Sequence, residues 1–565
     1  MAKDKSVKRH SHPGRGGRGA THPKGRQLDS NAHDQILDLL GDNLRSRDLL
    51  IEYLHLIQDK YGCLSAEHLV ALAEEMKIAL TEVYEVATFY AHFDVVNDET
   101  KRPPPITIRV CDSVTCEMFG AEELISTLSK DIPTEIRILR APCMGACDKA
   151  PAVAIGHAQF APATAAVVLE AAGEKKISQG LPDYIKLHEY QTNGGYQLFR
   201  ECISGAHTPE NFIEILNDSG LRGLGGAGFP AGRKWEFVRA EEGPRLMAVN
   251  ADEGEPGTFK DRWFLERDPH RFLEGMLIGA WAVEAQDIYI YLRDEYPDIR
   301  KILLREISKL ESGDLLEPGR IHLRRGAGAY ICGEESAMLE SIEGKRGLPR
   351  HKPPFPAQVG LFGRPTLIHN VETLYWIRDL VQKGSSWFTQ KGRNGSKGQR
   401  TFSVSGRVKN PGVKIADAGI TVRDLIDEYC GGMQDGHNFK GYLPGGASGG
   451  ILPASMDQEP LDFGTLEQYG CLIGSAAVII LSEEDDTGDV ALNLLKFFED
   501  ESCGQCTPCR NGCEKAVQLL ENKTWDKPLL KELSTVMQDA SICGLGQAAT
   551  NGLNSVFKYF PEDIK

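Results

Sequence analysis

The chain has no run of about 18 consecutive apolar residues, the length that a membrane-spanning helix requires. Its longest apolar stretch, CLIGSAAVIIL from Cys471 to Leu481, is too short to span and is predicted to be a buried strand. The N-terminus also lacks the apolar core of a secretory signal. These absences predict a cytoplasmic protein without direct membrane insertion.

The chain is also poor in positive charge, because 64 Lys and Arg against 80 Asp and Glu leave a net charge of −16. This balance argues against a nucleic-acid-binding protein. The one basic segment is residues 1–27, which hold eight Lys or Arg and almost nothing apolar. It is predicted to be a disordered tail because it cannot bury enough surface to fold. The alternative is a basic arm that lies on an acidic partner subunit.

Cysteine is plentiful, and eight of the 14 cysteines fall into tight clusters in a chain without an export signal, which favours metal binding over disulfides. Cys111 and Cys116 follow one predicted strand, and Cys143 and Cys147 follow another. Four thiolates are therefore expected on adjacent loops at one end of a sheet. The x4 and x3 spacings suit a cluster of two irons. Zinc remains an alternative on spacing alone.

A second group, Cys503, Cys506 and Cys509, has the C-x2-C-x2-C spacing with which one turn of chain holds three corners of a 4Fe–4S cluster. Two cysteines compete to be the fourth ligand. Cys513 continues the ferredoxin spacing, but in ferredoxins that thiolate serves a second cluster, for which this chain has no second triplet. Cys543 lies on a glycine-flanked loop between predicted helices and can reach the same cluster.

The segment LRGLGGAGFPAGRKW contains G-x-G-x-x-G at Gly223, Gly225 and Gly228, a spacing that lets backbone N–H groups approach a phosphate. The preceding Thr208-Pro209-Glu210 predicts the start of a helix, so the usual strand–loop–helix dinucleotide fingerprint is disfavoured. RLMAVN is predicted to be a strand with four polar groups at its end. A nucleotide site explains them, and a solvated acidic turn is the alternative. The four are Asn250, Asp252, Glu253 and Glu255.

GLGGAGFPAGRKW followed by NADEGEPGTFKDR resembles the FMN- and NADH-binding core of the flavoprotein subunit of respiratory complex I. The resemblance implies FMN contacts by Gly223, Gly225, Lys234, Asn250, Asp252, Glu253, Tyr330, Gly333, Glu334, Asn370 and Thr373. It implies NAD contacts by Phe229, Phe237, Glu255, Glu335, Lys352 and Phe355. Acidic groups there would repel a 2′-phosphate and favour NAD over NADP.

Some of these positions have another explanation or depart from the family. Glu334 and Glu335 also begin a predicted helix, so capping is an alternative for them. His369 stands where relatives commonly have Asn, and Ala231 where they have Thr. Both positions neighbour predicted flavin contacts, so the departures concern the details of those contacts and not the presence of the site.

The cysteine pairs and the helices before them resemble the thioredoxin-like 2Fe–2S subunit of complex I, over about residues 28 to 170. Cys63, His68 and His92 among those helices are interpreted as packing or surface residues, not ligands. The family pattern SCGxCxPCR…ICGLG uses the later cysteine, so Cys543 is the predicted fourth 4Fe–4S ligand.

The predicted fold is multidomain α/β and α+β. It comprises a disordered tail (1–27), a helical bundle (28–100), a thioredoxin-like 2Fe–2S domain (104–173), a linker (174–197), an α/β FMN/NADH-binding domain (198–396), a β-grasp domain of the soluble-ligand-binding type (397–484) and a C-terminal helical 4Fe–4S domain (485–565).

Together these features predict a redox converter with FMN, NAD, one 2Fe–2S and one 4Fe–4S cluster. Flavin links two-electron hydride chemistry to one-electron clusters, so no side-chain acid or base is assigned. RVCDSVTCEMFGA and HKPPFPAQVGLF resemble the beta subunit of soluble NAD-dependent molybdenum or tungsten formate dehydrogenases, which implies a catalytic alpha subunit with molybdopterin as partner. The alternatives are the same module in a bidirectional hydrogenase or complex I, and an electron-transfer scaffold without flavin.

Overall fold

The computed structural model describes residues 26–98, 101–130, 133–313, 315–522 and 524–565. The tail predicted for residues 1–27 therefore lies outside the described residues except for its last two. Within the described part of the chain, no helix is both long and apolar enough to cross a membrane.

The N-terminal layer is a helical bundle, as the three- and four-residue apolar spacing predicts. The side chains of Asp29 and Ser65 cap two of its helices by accepting hydrogen bonds from backbone N–H groups of the first turn. Two short strands, β1 (Leu64–Ser65) and β2 (Val95–Val96), pair in parallel at its edge. The helices are α1 (Ser30–Leu40), α2 (Leu50–Tyr61), α3 (Ala66–Met76) and α4 (Leu80–Phe89).

The next layer is a four-stranded sheet with strand order β4-β3-β5-β6, in which β3 and β4 are parallel. Both predicted cysteine pairs begin where β3 and β4 end, at the same edge of this sheet. Its elements are β3 (Ile106–Cys111), α5 (Val114–Met118), α6 (Ala121–Leu128), β4 (Ile136–Ala141), β5 (Val153–Ile155), β6 (Ala158–Phe160) and α7 (Ala165–Gly173).

The segment predicted as a linker, residues 174–197, is mostly exposed, but its Tyr184 and Tyr190 are buried. It contains α8 (Leu187–Thr192) and leads into α9 (Gln197–Ile203). The Tyr184 hydroxyl donates to Glu306 at 2.8 Å and the Tyr190 hydroxyl to Glu274 at 2.6 Å. Each tyrosine buries its ring and still satisfies its hydroxyl, which holds the segment on the following domain.

The central domain is a fully parallel four-stranded sheet of order β10-β7-β8-β9 between helices. Thr208 and Asp268 cap helices that have proline in their first turn. Its elements are α10 (Pro209–Ser219), α11 (Ala231–Ala240), β7 (Arg245–Ala251), α12 (Lys260–Leu265), α13 (Pro269–Ala282), β8 (Ala285–Leu292), α14 (Pro297–Ser312), β9 (Ile321–Arg325), α15 (Glu335–Ile342), β10 (Thr366–Asn370), α16 (Val371–Lys383) and α17 (Ser385–Thr389).

The fourth layer is a mixed five-stranded sheet of order β12-β11-β15-β13-β14, in which β11 and β15 are parallel. The segment TVRDLIDEYCGG forms an irregular helix, because α18 (Val422–Asp424) passes into a π-helical turn at Leu425–Tyr429. The strands are β11 (Gln399–Gly406), β12 (Gly412–Asp417), β13 (Phe439–Leu443), β14 (Leu452–Pro453) and β15 (Ala477–Ser482).

The C-terminal layer is helical, as predicted, and its apolar faces join the same buried cluster as the N-terminal bundle. The helices are α19 (Thr487–Asp500), α20 (Thr507–Leu520), α21 (Lys527–Ala540), α22 (Gly544–Ala548) and α23 (Asn551–Tyr559).

Candidate functional site

The predicted flavin residues converge at the carboxyl edge of the parallel sheet. Strands β7 and β10 are neighbours, and Asn250 and Asn370 are register partners near their ends. In open parallel sheets this edge is where ligands bind. Asn250 Nδ2 donates to the Gly333 carbonyl at 2.8 Å, which brings the turn Tyr330–Gly333 to the same edge.

The glycine loop connects α10 to α11, so a helix precedes it, as predicted. The loop is anchored to α16, because the Leu224 N–H donates to Thr373 Oγ1 at 2.9 Å. A Cβ on Gly225 would lie 2.9 Å from the Asn370 Cβ. Only glycine therefore lets the loop backbone come this close to the strand end, as a phosphate-binding backbone requires.

Two acids follow β7 in different surroundings. Burial raises the pKa of Asp252 to about 8, and Asp252 Oδ2 has no hydrogen-bond partner within the described residues. Burial also raises the pKa of Glu253 to about 8. The Glu253 carboxylate, however, accepts from the Asp261 and Arg262 N–H groups and from the Tyr296 hydroxyl at 2.8–3.0 Å. Asp252 thus retains an unused oxygen, whereas the oxygens of Glu253 are occupied by protein groups.

Two lysines, Lys234 and Lys352, form ion pairs with acidic side chains beside the glycine loop. Lys352 Nζ donates to Glu334 Oε1 at 2.9 Å and to Glu335 Oε1 at 2.8 Å. Lys234 Nζ lies 3.9 Å from Glu335 Oε2. Burial raises the pKa of Glu335, but the two lysines outweigh it and lower the pKa overall. Glu334 also caps α15 through the Ser336 and Ala337 N–H groups, so the capping explanation holds for this residue.

Tyr330 joins this edge to two other domains. Its N–H donates to Glu501 Oε2 at 2.8 Å, just before the C-terminal cysteines. Its hydroxyl donates to Glu255, whose other oxygen accepts from the Ser448 N–H at 2.8 Å. The glycine-rich turn around Ser448 therefore fixes the orientation of Glu255.

The predicted dinucleotide aromatics lie at the surface. Phe229, Phe237 and Phe355 are 40%, 45% and 53% exposed, respectively. The rings of Phe229 and Phe237 are 6.1 Å apart. Of the two departures from the family, His369 is buried and accepts from Trp235 Nε1 at 2.8 Å, while Ala231 is buried at the start of α11.

The four cysteines predicted to hold the 2Fe–2S cluster are all buried and form no disulfide. Cys111 ends β3, and its register partner is Ala141 on β4, two residues before Cys143. The sulfurs of Cys143 and Cys147 are 3.2 Å apart. Two pairs of free thiols at one sheet edge fit a two-iron cluster. Cys116 lies in α5.

Sequence reasoning missed Arg293, which follows β8 and is 4% exposed. Its guanidinium donates to the Cys143 carbonyl at 2.6 Å and also to the Glu253 carbonyl. Nearby, Arg262 donates to the Gly145 carbonyl at 3.2 Å. These two arginines join the predicted 2Fe–2S loop to the flavin edge. An arginine after a buried strand was the only signal in the sequence.

The predicted 4Fe–4S ligands surround a cavity. Cys503 and Cys506 precede α20, Cys509 lies in its first turn, and Cys543 precedes α22. These four cysteines line the cavity together with Ile331, Pro349, Ser502, Gln505, Ile542 and Leu545. Cys513 does not line the cavity; it is fully buried one turn after Cys509. The cavity lining fits a cubane held by the four predicted ligands.

Three family models match successive parts of the chain. The thioredoxin-like [2Fe-2S] ferredoxin model matches residues 35–174, and the Nuo51 FMN-binding domain model matches residues 216–379. The model of the NADH-ubiquinone oxidoreductase-F iron-sulfur binding region matches residues 489–565. The three matches are in the order that the motifs predict.

Relatives are found among curated proteins and solved structures. The chain is 41% identical over 395 residues to an NADH-quinone oxidoreductase subunit of Rhizobium meliloti, which covers 67% of this chain and 94% of the relative. It is 39% identical over 393 residues to the mitochondrial NADH-ubiquinone oxidoreductase 51 kDa subunit of Neurospora crassa, which covers 66% of this chain and 79% of the relative. A chain of an NAD+-reducing NiFe-hydrogenase in the H2-reduced state matches with a TM-score of 0.80 and 30% identity, covering 92% of both chains.

Proposed function

The chain belongs to the family of the NADH-ubiquinone oxidoreductase 51 kDa subunit, and on that premise we propose that it is the NAD-linked diaphorase subunit of a formate dehydrogenase. At the coarser level it is an NADH-oxidising flavin and iron–sulfur subunit of the complex I or NAD-reducing hydrogenase type. It fuses a thioredoxin-like 2Fe–2S domain, an FMN-binding domain and a 4Fe–4S region in one chain.

In this proposal FMN binds at the carboxyl edge of the parallel sheet. The backbone of the glycine loop and Lys234 receive its phosphate, and Thr373 holds the loop in place. Asn250, Asn370 and Gly333 border the remainder of the flavin, while Tyr330 and Glu334 fix the turn and the helix beside it. When bound there, FMN would supply the link between two-electron hydride chemistry with NADH and one-electron transfer to the clusters.

Asp252 has a particular part in this site. Because burial raises its pKa to about 8, it is neutral at pH 7 and can donate a hydrogen bond as well as accept one. Its free Oδ2 supports a contact with a polar ligand. Glu253 instead positions the start of α12.

The NAD site lies over the lysine and acid group beside the glycine loop. Lys352 is held between Glu334 and Glu335, so its ammonium is oriented before NAD binds. Glu335 is held ionised by the lysines, and an ionised carboxylate repels the 2′-phosphate of NADP. Exposed Phe229, Phe237 and Phe355 offer apolar surface for the dinucleotide rings, and Glu255 stays fixed by Tyr330 and Ser448.

The single observation that carries the electron-transfer proposal is the turn Tyr330–Gly333. Its Ile331 lines the cavity of the four C-terminal cysteines, and its Gly333 lies at the flavin edge. Two residues span at most about 7 Å, so flavin and 4Fe–4S cluster would be close neighbours. The residues of this turn would hold the two sites together.

The two candidate functions, formate dehydrogenase and hydrogenase, differ in the partner subunit. The formate dehydrogenase assignment is based on the resemblance of segments such as HKPPFPAQVGLF. It implies a partner alpha subunit with molybdopterin and tungsten or molybdenum. A hydrogenase partner is the second candidate, because the similar hydrogenase chain covers 92% of this one, whereas the NADH-quinone oxidoreductase relative of Rhizobium meliloti covers 67%.

Co-purification tests the choice of partner. The large subunit retained by the tagged chain should contain molybdenum or tungsten, and the complex should reduce viologen with formate and not with H2. Nickel in the large subunit and H2-dependent reduction would replace formate dehydrogenase by the second candidate.

A further inference from the structure

Three side chains of metal-ligating types, His55, His92 and Asp294, form a group that belongs to none of the residue sets assigned above to FMN, NAD or the clusters. His55 is on α2, His92 follows α4, and Asp294 follows β8, so the group joins the N-terminal bundle to the central domain. One ligand atom from each lies within 4.8 Å of the others. His92 belongs to the residues that the sequence assigned to packing or surface.

His55 has the hydrogen-bond pattern of a metal ligand. Its Nε2 lies 2.9 Å from the Gly326 carbonyl oxygen, which can only accept, so Nε2 carries the proton and Nδ1 has the lone pair. His55 is 1% exposed, and its Nδ1 has no hydrogen-bond partner among the residues that the structure describes. A metal-bound imidazole commonly donates its other nitrogen to a backbone carbonyl in this way.

His92 and Asp294 supply the remaining ligands. His92 Nδ1 lies 2.7 Å from Asp294 Oδ2, and the two side chains are 16% and 10% exposed. Asp294 also accepts from Arg325 Nε. Arg325 has a second carboxylate partner, Asp59, at 2.6 Å, so its charge stays compensated if Asp294 turns to an ion.

We propose that His55, His92 and Asp294 bind a divalent transition-metal ion, which we assign as Zn²⁺ because zinc takes two imidazoles, one carboxylate and a water in proteins. The ion takes the lone pairs of His55 Nδ1 and His92 Nδ1 and an Asp294 carboxylate oxygen, and the single proton of neutral His92 moves from Nδ1 to Nε2. Zinc ligands at about 2.0–2.2 Å from the metal lie roughly 3.3 Å apart, so the side chains need shifts of about an ångström. Water completes the tetrahedron.

The site would fasten the bundle to the central domain, because its ligands come from both. A structural metal stabilises the fold that holds its ligands together. The inference is independent of the identity of the partner subunit and of the flavin and cluster assignments.

The test uses the full chain loaded with FMN and both clusters, dialysed against Zn²⁺. We expect one zinc per chain by mass spectrometry and an X-ray absorption spectrum with imidazole and oxygen scatterers and no sulfur. His92→Gln and Asp294→Asn should each weaken zinc binding at least about tenfold, the ratio that 1.4 kcal/mol gives, with FMN and iron contents unchanged.

His322→Gln is the matched control, because His322 pairs with Asp287 at 3.3 Å on the same domain without a second imidazole. It should bind zinc as the parent chain does. Zinc should raise the melting temperature of the parent and of His322→Gln but not of Asp294→Asn. Sulfur in the zinc shell, zinc retained by both ligand variants, or an equal temperature shift in all variants would overturn the proposal.

Discussion

Ile331 and Gly333 lie two residues apart in one helical turn and belong to two different sites. Ile331 lines the cavity bordered by four cysteines, and the Gly333 carbonyl accepts from Asn250 at the flavin edge. If the predicted flavin and 4Fe–4S sites are occupied as proposed, this short turn holds them close together, as electron transfer between them requires. The predictions below follow from this arrangement.

The ligands of the 4Fe–4S cluster are tested by serine replacement. Cys543→Ser should abolish or convert the cluster, because Cys543 lines the cavity. Cys513→Ser should leave the EPR signal of the cluster in place, because Cys513 is outside the cavity lining. The reverse pattern would identify the ferredoxin-like run as the true ligand set.

The 2Fe–2S cluster is predicted to lie off the direct route to the partner. Replacing Cys143 and Cys147 together by serine should remove the 2Fe–2S EPR signal and leave NADH-to-viologen turnover largely unchanged. It should reduce turnover with the partner's substrate less than Cys506→Ser does. If partner turnover stops while viologen reduction survives, the cluster is on the main route. Arg293 contacts both the loop of Cys143 and the Glu253 carbonyl at the flavin edge, so this second route is the main alternative to the prediction.

The affinity for FMN should depend on pH through Asp252. Its pKa is raised to about 8, so Asp252 is neutral below that pH and becomes a buried anion above it. Above pH ~8 the FMN dissociation constant should rise by up to about tenfold per pH unit, because binding then requires one proton. Asp252→Asn should flatten this rise in a fluorescence titration of flavin release. An unchanged slope in the variant would assign the proton to another group.

The preference for NADH is predicted to depend on Glu335. Glu335→Gln removes the carboxylate beside Lys352 and Lys234, which should narrow the ratio of kcat/KM between NADH and NADPH by about tenfold. Glu340→Gln on the same helix is the control, because Glu340 pairs with Arg350 and Lys345 instead. Equal ratios in the parent and Glu335→Gln would exclude Glu335 from specificity.

Local patterns predicted the elements and motifs better than the contacts between domains. The Thr208 cap correctly placed a helix before the glycine loop, and the strands before Cys111 and Cys143 were readable from alternation. The contacts of the linker tyrosines were not predictable, because their partners are distant in sequence. Tyr184 donates to Glu306 on α14, and Tyr190 donates to Glu274 on α13. The hydrogen bond from the Ser448 N–H to Glu255 was unpredictable for the same reason.

The π-helical turn at Leu425–Tyr429 was missed for a related reason. Its sequence has ordinary helical periodicity, and helical propensity does not separate i+4 from i+5 hydrogen bonding. The roles of the individual flavin, NAD and cluster residues stay predictions, which the variants above test.

The most direct test of the central claim measures the isolated chain with NADH and an artificial acceptor. The purified chain should carry one FMN and should reduce ferricyanide or viologen with NADH in the absence of formate, and NADPH should be a much poorer donor. A flavin-free preparation without NADH-dependent reduction, or equal rates with NADH and NADPH, would contradict the account.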